Sequence, residues 1–284
     1  MPPSSALIVF HPSKPDAVAA SQKAQSKLLQ FGASVQSVSQ ADAAQMTALP
    51  EGIDFVVSLG GDGTLLTSAH LAAPAGAPIF GAHFGRFGFV AQVRPNELEM
   101  RLDQALKGDC SVQSRVMVSA RGTEAPLYGL NEVAIYRQSQ APLLEFGIVI
   151  DGVELSSYPA DGIIVSTPTG STAYSLSVGG PVVDPTVEAL TVVSISPHTL
   201  SIRPLMLPAT SKIEVKVLNG GRQQTKAVRG SRLTADGARH QLVQVGESVE
   251  ISRAPFDAKI IVFEKGEFID KLRNRLQWGA RVNE

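Results

Sequence analysis

The first hundred residues alternate continuous apolar runs with stretches in which apolar residues recur at helical spacing. Continuous runs are typical of buried strands, and helical spacing is typical of amphipathic helices. The predicted strands cover 6–10, 33–38, 53–59 and 78–81, and the predicted helices cover 16–31, 65–71 and 95–107. Strands and helices in this alternating order predict a parallel sheet covered by helices.

After residue 107 the pattern changes to short β-type runs separated by turn residues. These runs cover 112–120, 128–136, 144–150, 153–158, 163–166, 191–196, 213–218, 242–245, 249–252 and 260–263. Asp151-Gly152 is the clearest hairpin signal, and Asn219-Gly220-Gly221 and Asp236-Gly237 mark further turns. This half of the chain predicts an antiparallel sandwich or a stack of sheets.

The pattern becomes helical again over residues 268–276, with one apolar and one basic face. The apolar residues are Phe268, Ile269, Leu272 and Leu276, and the basic residues are Lys271, Arg273 and Arg275. We expect the apolar face to pack back on the body of the protein. The sequence therefore divides into an α/β domain over 1–94, onto which 264–284 pack, and a β-rich domain over 95–263.

Composition and motif spacing exclude several classes of protein. With 44% apolar and 18% charged residues among 284, the chain is not intrinsically disordered. Lys plus Arg (25) balances Asp plus Glu (26), so we expect no nucleic-acid partner. A single cysteine, Cys110, and the lack of long apolar runs predict a cytoplasmic protein without a membrane span. The histidines lack zinc-site spacing, and Gly170-Ser171 is not a GxSxG elbow.

The sharpest local signal is Gly60-Gly61-Asp62-Gly63-Thr64, directly after the predicted strand 53–59. Glycines let a ligand approach the backbone, and successive amides at the start of a helix suit phosphate. Asp62 fits a plain phosphate site poorly because its carboxylate repels phosphate, but it suits a proton acceptor or a ligand for Mg²⁺. The alternative is a tight turn in which Asp62 caps the helix. The segment matches neither GxGxxG nor the P-loop pattern.

A second glycine-rich loop, 81–89, follows the next predicted strand. We expect the two loops to face one another at one edge of the sheet, where His83 and Arg86 could contact a ligand. For the individual side chains we favour the structural interpretation, a glycine-rich connection whose phenylalanines belong to the core.

Residues 158–180 combine a strand end, a loop rich in hydroxyl groups and a predicted short helix over 172–177. Small residues with many donors and acceptors suit a sugar and a base, Tyr174 adds an aromatic edge, and Asp161 can accept hydrogen bonds from ribose hydroxyls. Asn131-Glu132 is a polar pair inside an apolar run, and buried polar groups need partners. Either a ligand or a purely structural network of hydrogen bonds accounts for these features.

Together these segments resemble the NAD kinase family, whose members phosphorylate NAD to NADP. The resemblance rests on GGDGT at 60–64, GAHFGRFGFV at 81–90, NE at 131–132 and DGIIVSTPTGSTAYSLSVGGPVVDP at 161–185. SPHTLSIRPLMLP at 196–208 and KLRNRLQWG at 271–279 extend it, so that it covers the chain from about residue 54 onward. GGDGT alone is less specific, because lipid kinases and phosphofructokinase-like enzymes carry related loops.

The resemblance implies a Rossmann-like N-terminal α/β domain, a β-sandwich-like C-terminal domain and a C-terminal helix that docks back. Asp62 matches the family's proposed proton acceptor, and the loop amides of Gly60, Gly61, Gly63 and Thr64 would hold the donor phosphates. The residues that match NAD contacts are Asp62, Gly63, Asn131, Glu132, Asp161, Thr172, Ala173, Tyr174 and Ser177. His83, Pro159 and Ala238 stand where Asn, Arg and Gln are frequent in the family.

The implied reaction transfers a phosphoryl group from ATP, or from polyphosphate, to the 2′-hydroxyl of the adenosine ribose of NAD. Mg²⁺ is the expected divalent cation, and a homodimer or homotetramer is the expected assembly. One alternative is a lipid or sugar kinase with the same loop, which would have no use for the hydroxyl-rich segment 167–177. Another is an NAD-binding regulator without activity, against which the intact Asp62 and glycine loop argue.

Overall fold

The computed structural model describes residues 3–85, 88–91, 93–138, 144–219, 230–264 and 266–277. The α-helices are α1 (Pro15–Gln30), α2 (Gln40–Gln45), α3 (Asp62–Ala75), α4 (Leu98–Lys107), α5 (Tyr174–Ser177) and α6 (Glu267–Arg275). The strands are β1 (Ser5–Phe10), β2 (Ser34–Ser39), β3 (Phe55–Gly60), β4 (Pro78–His83), β5 (Ser111–Arg115), β6 (Val118–Arg121), β7 (Leu127–Gly129), β8 (Glu132–Arg137), β9 (Leu144–Ile150), β10 (Val153–Ala160), β11 (Gly162–Ser166), β12 (Ala189–Ile195), β13 (Leu205–Pro208), β14 (Ile213–Asn219), β15 (Ser231–Ala235), β16 (Arg239–Val243), β17 (Ser248–Arg253) and β18 (Ala258–Val262).

The chain divides into two compact units, residues 1–114 with 258–284 and residues 115–257. This division differs from the boundary at residue 95 in the sequence-based scheme. α4 belongs to the first unit because it packs against α1, where Lys27 and Asp103 form an ion pair of 2.7 Å. β18, expected in the sandwich, also belongs to the first unit because it pairs in parallel with β4.

The first unit is built on a sheet with the strand order β2-β1-β3-β4-β18-β5. β2, β1, β3, β4 and β18 run parallel, as the alternation of strands and helices predicts. β1 and β3 are buried along most of their length, which explains their continuous apolar runs. β2, the next strand along the chain, pairs with one edge of β1, and β3, which follows it, pairs with the other edge. In sheets of this topology, ligands bind at such a reversal, outside the carboxyl ends of the two strands.

Turns and helix ends in the first unit follow the sequence closely. α1 ends before Gly32, whose φ of +86° gives the left-handed conformation that a non-glycine residue rarely adopts. α3 begins at Asp62, earlier than the predicted helix over 65–71, because Gly61 occupies the position that precedes its first turn. The short helix α2 was not predicted.

The two faces of α6 differ from the prediction. Lys271, which was placed on the exposed basic face, has only 4% of its surface exposed, whereas Ile269, placed on the apolar face, is 51% exposed. The buried ammonium group finds polar partners in the backbone of residues 89 and 91. A helix face chosen by hydrophobicity alone therefore misplaces this lysine.

The second unit contains two antiparallel sheets, with the orders β10-β9-β14-β17-β6-β7 and β13-β12-β11-β8-β15-β16. Apolar residues from both sheets share one core, as expected for a sandwich. The predicted run 112–120 is split, since β5 pairs in the first unit's sheet and β6 in the second unit. β13 and β15 were not predicted. Asp151 and Gly152 form the predicted hairpin turn, both with positive φ.

Across the described ranges, no helix has the length and apolar character needed to cross a membrane.

Candidate functional site

The glycine loop after β3 is shaped by contacts of its own side chains. Thr64 folds back over Gly60, where any Cβ would overlap the Thr64 side chain, so only glycine can end the strand here. The Thr64 hydroxyl is buried and donates to Oε1 of Gln40, the first residue of α2, over 2.7 Å. Thr64 therefore stabilises the turn, and its hydroxyl is hydrogen-bonded to α2.

The backbone at Gly61 and Gly63 is open, in contrast to Gly60. A Cβ at Gly61 would have Nζ of Lys14 as its nearest neighbour, 3.6 Å away. Lys14 follows β1, and its ammonium group donates to the carbonyl oxygen of Phe84 after β4. A lysine, an open glycine backbone and the first turn of α3 thus meet at the reversal between β1 and β3. This combination suits an anion. Lys14 was not among the predicted site residues, because it lies several residues beyond the end of β1 and only the fold brings it to Gly61.

The Asp62 carboxylate is held by the second glycine-rich loop, so the two loops are in direct contact. The amide of Phe89 donates to Oδ2 of Asp62 over 3.0 Å, and the amide of Ala91 lies 3.5 Å from Oδ1. Gly88 approaches so closely that a Cβ there would overlap the carboxylate. These contacts set the direction of the Asp62 side chain.

His83 ends β4 directly opposite Gly60 in the register of the sheet. It is 6% exposed, and burial lowers the pKa of its imidazole to about 4, assisted by the charges of Lys271, Arg275 and Arg94 and opposed by Asp62. The ring is therefore neutral near pH 7. Phe84 is buried, as predicted, whereas Phe89, which was also expected in the core, is only partly buried. Arg86 and Phe87 of the same loop lie outside the described residues.

A second polar cluster lies in the other unit, around the break between β7 and β8. The carboxylate of Asp236 accepts the amides of Leu130 (2.8 Å), Asn131 (2.8 Å) and Glu132 (3.1 Å). Asp236 and Gly237 form the turn between β15 and β16, both with positive φ. The turn thereby fixes the backbone that carries the Asn131-Glu132 pair. The turn at Asp236-Gly237 was predicted from the sequence, but the role of the Asp236 carboxylate was not.

The hydroxyl-rich loop packs directly on the same pair. The Thr167 hydroxyl donates to the carbonyl of Leu130 over 2.6 Å, and the Thr167 amide donates to the carbonyl of Asn131 over 2.8 Å. A Cβ at Gly170 would overlap the Asn131 carbonyl, so glycine is required for this approach. The two segments form one rigid platform.

Several buried polar atoms on this platform have no hydrogen-bond partner among the described residues. They are Asn131 Oδ1, Glu132 Oε2, Thr169 Oγ1 and Ser175 Oγ. Glu132 is 8% exposed, and burial followed by the nearby charge of Asp236 raises its pKa to about 8, while the Tyr174 backbone amide acts in the opposite direction. Because buried polar groups are normally paired, these atoms indicate a place for a polar ligand. Thr169 and Ser175 were not among the predicted contacts.

Tyr174 lies near two acidic residues, Glu132 and Asp161. The Tyr174 ring is partly exposed, and its pKa is raised by burial and by the proximity of Tyr136, Asp161 and Glu132. The carboxylate of Asp161 is paired with Nε of Arg137 at 2.7 Å. The remaining predicted contacts lie next to Tyr174. Thr172 ends a 3₁₀ turn (Thr169–Thr172) and Ala173 links this turn to α5, and both are partly exposed, whereas Ser177 at the end of α5 is exposed.

Fold and site together define a protein with an α/β unit that carries a glycine loop and an all-β unit that carries a second polar cluster. Residues 13–110 match the ATP-NAD kinase N-terminal domain, and residues 130–263 match the ATP-NAD kinase C-terminal domain. The chain therefore belongs to the NAD kinase family.

Individual relatives agree with this assignment. The chain is 37% identical over 234 residues to the NAD kinase of Gemmatimonas aurantiaca, covering 80% of this chain and 78% of the relative. It is 38% identical over 232 residues to the NAD kinase of Heliobacterium modesticaldum, covering 80% of each chain. The resemblance seen in the sequence motifs is confirmed.

Two solved structures share the fold. The yeast NADH kinase complexed with NADH superimposes with a TM-score of 0.86 at 24% identity, covering 100% of this chain and 91% of the other. An NAD kinase from Archaeoglobus fulgidus in complex with ATP gives a TM-score of 0.74 at 27% identity, covering 96% and 97%. The predicted combination of an α/β domain with an all-β domain and a C-terminal helix is confirmed.

Proposed function

We propose that this protein transfers the γ-phosphoryl group of ATP, or the terminal group of polyphosphate, to the 2′-hydroxyl of the adenosine ribose of NAD. The observation that carries the proposal is the position of the Asp62 carboxylate. It accepts the amide of Phe89 and lies between the glycines of the loop 60–64 and Gly88. Phosphoryl transfer requires alignment and charge neutralisation more than covalent chemistry. The fixed carboxylate serves the alignment, and the open backbone amides with the charge of Lys14 serve the charge neutralisation.

On the donor side, the open amides of the loop bind the phosphates, whereas the amide of Thr64 already donates to the carbonyl of Gly61 over 3.0 Å. Gly61 and Gly63 provide open backbone, Gly60 allows the turn, and Thr64 supports it through Gln40. Asp62 orients the ribose hydroxyl and accepts its proton as the oxygen attacks phosphorus. The charge of Lys14 favours the phosphates at this edge of the sheet.

On the acceptor side, the polar cluster of the second unit binds NAD. Its unpartnered oxygen and hydroxyl groups supply hydrogen bonds to the dinucleotide. With a pKa of about 8, Glu132 is protonated at pH 7 and donates a hydrogen bond, which an ionised carboxylate cannot do. The proposed NAD contacts are Asp62, Gly63, Asn131, Glu132, Asp161, Thr172, Ala173, Tyr174 and Ser177.

A divalent cation, Mg²⁺, belongs to the proposal. Within the described ranges, no group of three or more His, Cys, Asp or Glu side chains is placed to hold a metal ion. Mg²⁺ at phosphate sites is usually bound by one or two carboxylates together with substrate phosphates, so a loop with a single carboxylate, Asp62, fits an ion that arrives with the donor. The cation neutralises charge on the phosphates.

The proposal also includes a homodimer or homotetramer, from the family resemblance, and a cytoplasmic location, from the single cysteine and the lack of long apolar runs. Light scattering coupled to size exclusion tests the assembly, for which a monomer is the contradicting result.

An assay of the purified protein with NAD tests the activity. Reactions contain NAD, Mg²⁺ and either ATP or polyphosphate, and an NADP-specific dehydrogenase detects the product. We expect NADP with at least one donor and none when EDTA removes the cation. If neither donor gives NADP, the proposed function is wrong. Parallel reactions in which a lipid or a sugar replaces NAD test the kinase alternative, which a phosphorylated product there, without NADP formation from NAD, would support.

A further inference from the structure

Lys271 of the C-terminal helix contacts the segment that holds Asp62. Its ammonium group donates to the carbonyl of Phe89 over 3.0 Å and to the carbonyl of Ala91 over 3.4 Å. Glu267, one turn earlier on α6, lies 2.8 Å from the same nitrogen. A lysine that is 4% exposed is thus surrounded by two carbonyl oxygens and a carboxylate.

Phe89 and Ala91 are also the residues whose amides face Asp62. The amide of Phe89 lies 3.0 Å from Oδ2 and the amide of Ala91 lies 3.5 Å from Oδ1. The same two residues therefore accept from Lys271 through their carbonyls and approach Asp62 through their amides. A short backbone segment, residues 88–91, therefore contacts both Lys271 of α6 and the carboxylate of Asp62.

This arrangement ties the docking of α6 to the geometry of the glycine loop. Removing the ammonium group would leave two carbonyls and the Glu267 carboxylate without their buried partner, and such groups are expensive to bury alone. The segment would relax toward other partners, and its amides would move with it. The Arg275 guanidinium lies 5.9 Å from the centre of the Phe89 ring and is a second link from α6 to the same residue.

We infer that Lys271 is a positioning residue for phosphoryl transfer, which sets the Asp62 carboxylate through the backbone of residues 88–91. The inference rests on the proposed function of Asp62 and adds α6 to the apparatus that aligns it. Misplacement of reacting groups by a fraction of an ångström to one ångström lowers rates strongly. Lys271 therefore affects kcat, whereas contacts that only bind substrate affect KM.

The test compares Lys271→Met with Arg273→Met, a matched control on an exposed face of the same helix. Lys271→Met is expected to lower kcat roughly 10- to 100-fold, with KM for NAD and ATP within twofold of the wild type. Arg273→Met is expected to keep the wild-type kcat. An unchanged kcat in Lys271→Met, with the protein folded, overturns the inference.

A double variant separates positioning from a general structural role. If Lys271 acts through Asp62, Lys271→Met lowers the residual rate of Asp62→Asn by less than twofold, because the group that it positions is already gone. If the two effects multiply, Lys271 acts elsewhere and the inference is wrong.

Hydrogen exchange gives a readout that does not depend on activity. The Phe89 amide is expected to exchange roughly tenfold faster in Lys271→Met, while the amide of Val57 in β3 stays protected. Unchanged exchange at Phe89 overturns the inference even if the proposed reaction is correct. Failure of the wild type to make NADP would overturn the proposed function instead.

If Lys271→Met does not fold, Glu267→Gln replaces it, since this change weakens only the carboxylate contact of Lys271. A smaller decrease in kcat, roughly two- to fivefold, together with faster exchange at Phe89 is then expected. Wild-type values of both quantities overturn the inference.

Discussion

Gly88 lies against the carboxylate of Asp62, so closely that a methyl group at residue 88 would overlap Oδ1. The overlapping atoms belong to the end of the Asp62 side chain, which can rotate away with a small increase in free energy. Gly88→Ala is therefore expected to redirect Asp62 while the fold remains intact. We predict a decrease in kcat of at least about tenfold and a change in the free energy of unfolding below about 1 kcal/mol.

Steady-state kinetics and urea denaturation of Gly88→Ala check this prediction. Gly122→Ala is the matched control, because its methyl group would have its nearest neighbour 3.9 Å away, at Gln241. A wild-type kcat in Gly88→Ala would show that Asp62 does not need this loop.

Gly170 presents the opposite case, because the atom in the way belongs to the backbone. A methyl group there would overlap the carbonyl of Asn131. Gly170→Ala is expected to destabilise the protein by roughly 1–3 kcal/mol and to raise KM for NAD, since the whole platform must shift. Gly147→Ala, with neighbours at 3.5 Å, is the control. Equal unfolding midpoints for the two variants in urea would contradict the interpretation.

Asp236 is predicted to control NAD binding without touching NAD. Its carboxylate accepts three amides, those of Leu130, Asn131 and Glu132. Asp236→Ala leaves these donors without an acceptor, so KM for NAD should rise roughly tenfold or more, while KM for ATP stays the same. Asp236→Asn keeps one acceptor oxygen and should show a smaller increase. Steady-state kinetics with NAD and ATP varied in turn test this prediction. Equal increases in the KM values for NAD and for ATP would contradict it.

Glu132 is predicted to make stability depend on pH. Its pKa is about 8 in the folded protein, against 4.5 for an ordinary glutamate, because of burial and Asp236. Between these values the folded state binds the extra proton, so the free energy of unfolding falls as pH rises from about 4.5 to about 8. The slope is on the order of 1.4 kcal/mol for each pH unit crossed.

Urea denaturation at pH 6 and at pH 9 measures this effect. Glu132→Gln has no proton to lose and should remove this part of the decrease, so the wild type should lose more stability than the variant. Equal losses would mean that Glu132 titrates normally.

Much of the fold could be predicted from the sequence because local patterns and tertiary packing agree there. The continuous apolar runs of β1 and β3 are typical of buried strands, and Asp151-Gly152 is typical of a hairpin turn. Few other local structures fit these patterns. The strand at 260–263 was predicted, but the sheet that β18 joins and the split of 112–120 could not be, because short apolar runs do not specify which sheet they join. The prediction that Lys271 is exposed was wrong for another reason, because its burial depends on backbone carbonyls that are distant in sequence.

The candidate site shows the same limit. The glycine loop, the Asn131-Glu132 pair and the hydroxyl-rich segment were visible as motifs, because each carries unusual chemistry in a short stretch. Asp236, Lys14 and Lys271 carry ordinary residue types in ordinary surroundings. Their roles arise from contacts between distant segments, which spacing along the chain does not reveal.

The turnover of Asp62→Asn tests the central claim most directly. Asparagine keeps an oxygen that can accept the amide of Phe89, so the loop geometry is retained while the proton acceptor is lost. We predict that kcat for NADP formation falls by about 10²–10⁴, with KM for NAD and the free energy of unfolding close to those of the wild type. A variant that turns over NAD at the wild-type rate would contradict the role of Asp62 as the proton acceptor.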